Sequence, residues 1–153
     1  MLKEIIREFP KSPRVRYNLG LLYEEQGRLT EAKTAYAGEV AAFPGEFQAR
    51  FNLGQVLFKL GDRAGYMENM REVVKLAPRQ AEGYLFLARG LLEEQAPLEE
   101  VQTVLEKGLA LAGTPALKAF GYFLLADIYN RKHQPDKMNE ALRKANSFER
   151  KKE

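Results

Sequence analysis

Apolar side chains recur three and four positions apart along almost the whole chain, as in Leu19 and Tyr23, Leu53 and Leu57, Leu87 and Leu91, and Leu125 and Tyr129. Polar residues fill the positions between them, which is the period of a helix with one buried face. The pattern predicts nine helices, over residues 1–9, 13–26, 29–42, 47–60, 63–76, 81–95, 97–111, 115–131 and 135–150. No strand pattern competes with it.

The stops are as regular as the faces. Pro10, Pro44 and Pro78 each close an apolar stretch and stand 34 residues apart. Proline lacks the N–H that would continue a helix, and a fixed period of this size marks stacked supersecondary units. The first unit reads Tyr17-Asn18-Leu19-Gly20-x-x-Tyr23, then Gly27, Ala32, Tyr36 and Pro44. It returns as Phe51-Asn52-Leu53-Gly54-x-x-Leu57, Gly61, Met70, Val73 and Pro78, with Tyr66 in the place of Ala32. Tyr84-x-x-Leu87-Ala88-x-x-Leu91 followed by Val101, Leu105 and Leu109 makes a third unit, with one extra residue in the turn at Ala96-Pro97. Tyr122-x-x-Leu125-Ala126-x-x-Tyr129 followed by Met138, Leu142 and Ala145 makes a fourth, which starts 38 residues after the third. Residues 1–10 correspond to the second helix of a unit alone.

These motifs resemble the tetratricopeptide repeat over nearly the whole chain. The resemblance implies an all-α fold, a right-handed α-solenoid of antiparallel helix pairs with about four repeats after an N-terminal half repeat. One domain, 1–153, is expected, with repeats at 13–44, 47–78, 81–113 and 115–148 and a basic tail at 149–153. Gly20, Gly54, Ala88 and Ala126 are small so that the paired helix can approach, with Leu19, Leu53, Leu87 and Leu125 filling the contact beside them. Ser12-Pro13 and Thr114-Pro115 each offer a capping hydroxyl followed by a proline at the first helical position. Gly27 and Gly61 suit the left-handed residue that ends a helix.

Composition narrows the class. The 153 residues are 45% hydrophobic, enough for a substantial core shared between neighbouring repeats. Apolar runs are only a few residues long, short of the roughly 20 that span a bilayer, and no basic-then-apolar leader precedes the first helix. There are no cysteines, which excludes disulfides and thiolate chemistry. These features fit a cytoplasmic protein, and an exported parent remains compatible because the chain opens in the middle of a repeat. The net charge of +3 lies wholly in residues 143–153, where Arg143, Lys144, Arg150, Lys151 and Lys152 outnumber Glu149 and Glu153. The neutral body offers no basic surface for nucleic acid.

In tetratricopeptide stacks the first helix of each unit lines the concave face, and the resemblance implies that a partner peptide or helix lies there. Helical spacing places Arg14, Tyr17, Asn18 and Leu21 on that face, then Gln48, Phe51, Asn52 and Gln55, then Glu82, Leu85, Phe86 and Arg89, and last Phe120, Phe123, Leu124 and Asp127. The aromatics either anchor a partner or pack between repeats. Asn18 and Asn52 hold equivalent places and either grip a peptide backbone, as in the asparagine ladder of O-linked N-acetylglucosamine transferase, or satisfy local groups. The carboxylate clamp of tetratricopeptide co-chaperones would need cationic and amide groups where Tyr17, Leu21, Asn52, Glu82 and Phe86 stand, and only Asn52 fits.

No catalytic constellation, metal set or cofactor motif emerges. His133 stands near Asp136 in a predicted turn with no nucleophile or second ligand beside it. The pairs Glu24-Glu25, Glu93-Glu94 and Glu99-Glu100 are adjacent in sequence, so on a helix they diverge. A non-catalytic module that binds a protein partner is therefore expected. The alternative is a scaffold or accessory domain of a larger protein, packing through Leu2, Ile5, Ile6 and Phe9 of the half repeat.

Overall fold

A computed structural model of the chain describes residues 2–8 and 12–150, with side chains from Glu4 onward. Its helices are α1 (Leu2–Glu8), α2 (Val15–Glu25), α3 (Leu29–Ala42), α4 (Phe47–Lys59), α5 (Arg63–Leu76), α6 (Ala81–Glu93), α7 (Leu98–Leu111), α8 (Pro115–Arg131) and α9 (Pro135–Glu149). Among the described residues there is no strand, and the ends of α2 to α9 lie within two residues of where the periodicity puts them, while the expected ends of the first helix, residues 1 and 9, lie outside the described residues. The fold is an α-solenoid of helix pairs. The chain divides between Ala77 and Pro78 into two compact units, α1–α5 and α6–α9.

Unit one is built on close helix approach. A Cβ at Gly20 of α2 would fall 2.5 Å from the Tyr36 ring of α3, and one at Gly54 of α4 would collide with the terminal methyl of Met70 in α5. At Gly20 the rigid Tyr36 ring leaves no room for a side chain, whereas at Gly54 the flexible end of Met70 would have to shift. Leu19, Tyr23, Ala32, Tyr36, Leu53, Val56 and Leu57 form the buried cluster, with Ile6 of α1 and Val40 packed against it. Ile6 is thus partly engaged within its own unit.

The Ser12-Pro13 cap expected from the sequence does not form. Helix α2 begins at Val15, after Arg14 in the left-handed region at φ 65°, with no side-chain cap from its own segment. Its place is taken from α3, where Glu39 Oε1 accepts the Arg14 backbone N–H at 2.5 Å. A carboxylate at a helix N-terminus also complements the helix dipole. By contrast Thr114 Oγ1 does accept the Leu117 N–H, at 3.3 Å, ahead of Pro115 in α8.

Unit two is centred on Leu85, Val101, Leu105 and Ile128, all fully buried. Leu85 of α6 lies under two glycines, 2.8 Å from a Cβ at Gly108 in α7 and 3.1 Å from one at Gly121 in α8. Ala119 and Ala126 of α8 and Ala141 and Ala145 of α9 are buried, and their small size brings those two helices together.

The turn between the helices of each pair holds a left-handed residue at the same place, although the third turn is one residue longer than the others. Gly27, Gly61, Gln95 and His133 occupy the same place in the four pairs, with φ of 70°, 84°, 56° and 55°. Glycine adopts that region freely, whereas Gln95 and His133 adopt it against the preference of a side-chain-bearing residue.

Candidate functional site

On unit one the first helices α2 and α4 present a polar and aromatic face. Arg14 Nη2 donates to Gln48 Oε1 at 2.8 Å. Its guanidinium also lies 5.0 Å from the centre of the Tyr17 ring, which fixes an exposed cation between two helices. Asn52 Nδ2 reaches the Tyr17 hydroxyl at 3.3 Å and the Tyr36 hydroxyl at 3.4 Å. Tyr36 donates to Glu24 Oε2 at 2.7 Å, and Lys59 Nζ meets the other Glu24 oxygen at 2.9 Å. Burial raises the Tyr36 pKa well above the tyrosine range, and the hydrogen bond to Glu24 and that carboxylate's charge push it the same way.

Arg14, Tyr17, Gln48 and Asn52 are therefore joined in one array. Asn52 spends its donor on the two tyrosines, whereas its counterpart Asn18 is exposed. Leu21 is 37% exposed, and Phe51 and Gln55 are half-buried on α4. The Gln55 Nε2 is shielded from solvent with no hydrogen-bond partner among the described residues. A buried donor left in this state costs about 1–3 kcal/mol until something accepts from it.

On unit two the corresponding helices are α6 and α8. The Phe86 and Phe120 rings lie 4.9 Å apart, so both bridge the two helices. The Arg89 guanidinium stands 5.6 Å from the Phe86 ring centre and 3.9 Å from Glu93. Asp127 pairs with Arg131 at 3.0 Å, and Arg131 Nη1 also donates to the Leu92 carbonyl at 2.9 Å, closing the end of α6. Glu82 and Leu124 are half-buried, and Phe123 is 37% exposed. Leu85 does not belong to this face. It is 0% exposed and forms the centre of the unit, because α6 is apolar on nearly every side and periodicity alone does not tell its outer face from its inner one.

In the half repeat, Ile5 and Ile6 are half-buried, while Phe9 and the Leu2 side chain lie outside the described residues. Among the described residues no group of three or more His, Cys, Asp or Glu side chains is placed to hold a metal ion, and no helix is long and apolar enough to cross a membrane. His133 is exposed at its turn, and Glu24, Glu93 and Glu99 are engaged in ion pairs. Sequence reasoning missed the Tyr36–Glu24–Lys59 chain and the Glu39 cap. One signal was available for Glu39, which falls on the apolar stripe of α3 seven residues after Ala32 and is 1% exposed.

Stacked helix pairs with paired polar and aromatic side chains on their first helices define a helical-repeat protein. The tetratricopeptide repeat family model matches residues 1–46 and again 17–65. No curated protein matches the chain. Among solved structures, MamA is similar over 99% of this chain and 86% of its own, with a TM-score of 0.83 at 18% identity. MamA 41-end from Desulfovibrio magneticus RS-1 is similar over 98% of this chain and 82% of its own, with a TM-score of 0.81 at 25% identity. YrrB, described as a TPR protein with an unusual peptide-binding site, is similar over 96% of this chain and 74% of its own, with a TM-score of 0.77 at 20% identity. The family-model match thus lies within residues 1–65, whereas the likeness of fold to these helical-repeat structures extends over nearly the whole chain.

Proposed function

We propose that the chain is a non-catalytic protein-interaction module and that the α2–α4 face of unit one takes an extended peptide of a partner. The observation that carries this reading is the combination, on one face, of a fixed array and unspent groups beside it. Arg14, Tyr17, Gln48 and Asn52 hold one another in place, so little side-chain entropy is lost when a ligand arrives. Beside them Asn18 and Leu21 are exposed. A peptide carbonyl satisfies such an amide without being read for sequence. Leu21 and Phe51 supply the apolar contact. That YrrB, a neighbour in fold, is described as having a peptide-binding site supports the same use of the architecture. The α6–α8 face, with Phe86, Phe120 and Phe123, is a second, more apolar contact for the same class of partner.

Peptides selected from a random display library on the full chain test this. Selected peptides are expected to lose at least about tenfold in affinity for Asn18→Ala/Leu21→Ala, a loss of about 1.4 kcal/mol, while the melting temperature stays near wild type. Undiminished binding to that variant, with its fold intact, would overturn the reading.

A further inference from the structure

The strongest unassigned feature is a cleft on unit two between α8 and α9, about 210 Å³ in volume, with walls from those two helices alone. A cleft of about 490 Å³ on unit one uses the same places, since Leu19, Tyr23 and Ala35 recur 106 residues later as Leu125, Tyr129 and Ala141. In unit one a further helix lies along that cleft, because Ile6 of α1 forms part of its wall. The architecture therefore carries the same helix-receiving surface twice, once with a helix of the chain on it.

The chemistry of the second copy differs. Glu31 and Gly38 of the first cleft are replaced by Lys137 and Lys144, and Arg16 by Tyr122. The Tyr122 and Phe148 rings stack at 5.9 Å and 9°. Lys118 sits 5.4 Å over Phe148, Lys144 sits 5.7 Å over Tyr122, and Lys137 sits 5.7 Å over Tyr129. Three ammonium groups thus lie along the rim over aromatic faces, Lys144 also pairing with Glu140 at 2.8 Å, and Glu140 is the one carboxylate lining the cleft among the described residues.

We infer that this cleft is a docking site for an acidic amphipathic helix of a partner protein. The volume is below the ~300 Å³ at which small-molecule sites begin, so it suits a partner's aliphatic side chains. From Lys118 to Tyr129 the rim runs 11 residues of α8, which at 1.5 Å each is about 16 Å or three helical turns. Backbone groups in the middle of α8 and α9 are already paired within their helices, which leaves no edge for an extended chain and favours a helix laid in the groove. Carboxylates along that helix meet Lys118, Lys137 and Lys144. This site is separate from the α2–α4 face and does not depend on it.

The probe is a fluorescent synthetic helix of about four turns, with leucines four and seven residues apart and glutamates flanking them. Its companion carries lysines in place of the glutamates. Anisotropy with the full chain should show saturable binding of the acidic helix that strengthens as salt is lowered. Lys137→Glu/Lys144→Glu should weaken it at least about tenfold and gain affinity for the basic companion, as charge-reversed rim contacts do. Lys118→Glu, a lone change at the other end of the rim, should show the same trend if the double variant fails to fold. Asn18→Ala/Leu21→Ala should leave it unchanged. Failure of the acidic helix to bind, equal binding of the basic companion to wild type, or indifference to all the lysine changes would overturn the inference. Phosphatidylserine vesicles that bind in place of the peptide, and lose binding in the same variants, would also overturn it and assign the face to a membrane surface.

Discussion

Tyr36 shows how one side chain can serve packing and polar order together. Its ring fills the gap left by Gly20, and its hydroxyl joins Glu24 to Asn52. Because the native state holds the Tyr36 proton more tightly than the unfolded chain, stability from this group is complete below the ordinary tyrosine pKa of about 10 and is lost as pH rises above it. Tyr36→Phe is expected to lose about 1–2 kcal/mol at neutral pH, since Glu24 and Asn52 lose their partner. The gap between variant and wild type should then narrow above pH ~10, as urea unfolding at several alkaline pH values will show. The aromatic at this place was legible from the sequence as buried bulk. Its hydrogen bonds were not, because Asn52 is 16 residues away and meets it only after α4 has docked.

Elements carry the clearest imprint of the sequence, and their turns carry the clearest strain. Gly27 and Gly61 have open space where a Cβ would stand, so alanine there meets only the cost of a left-handed backbone. Gly61→Ala should destabilise by about 1–2 kcal/mol. At the equivalent turn of the fourth pair, His133→Gly should stabilise by about 1 kcal/mol, the relieved strain being partly offset by the freer unfolded chain. Paired thermal melts check both, and opposite signs are the diagnostic result. Helix α6 is the element where the sequence was least informative. Ala81, Gly83, Leu85, Leu87, Ala88, Gly90, Leu91 and Leu92 are all buried along it, so no single polar stripe marked the outer face and Leu85 was expected on it.

At the scale of the whole molecule, several exposed carboxylates are paired with a lysine. Glu72 is held below the usual carboxylate range first by its hydrogen bond from Lys75, Glu140 likewise by Lys144, and Glu99 first by a hydrogen bond to its own backbone and then by Lys132. Depressed carboxylate pKa values add stability above the unfolded value and lose it as pH falls through the folded one. Stability should therefore decline steadily below pH ~4.5, and the decline should be shallower in high salt because these pairs are exposed. Urea midpoints at pH 7 and pH 3, each with and without added salt, measure it; a flat profile would mean that the pairs contribute nothing. What the sequence determined by itself was periodic and local: the 34-residue unit, the helices, the small residue at each crossing and the left-handed glycines, all set by contacts and conformations within a repeat. Only the tertiary structure decided how individual polar groups are spent. Glu39 capping α2 from 25 residues away and Asn52 bonding Tyr17 from 35 away are choices between neighbours that exist only once the helices have stacked. A period in the sequence fixes which faces meet, whereas the partner each buried donor finds depends on where those faces come to rest.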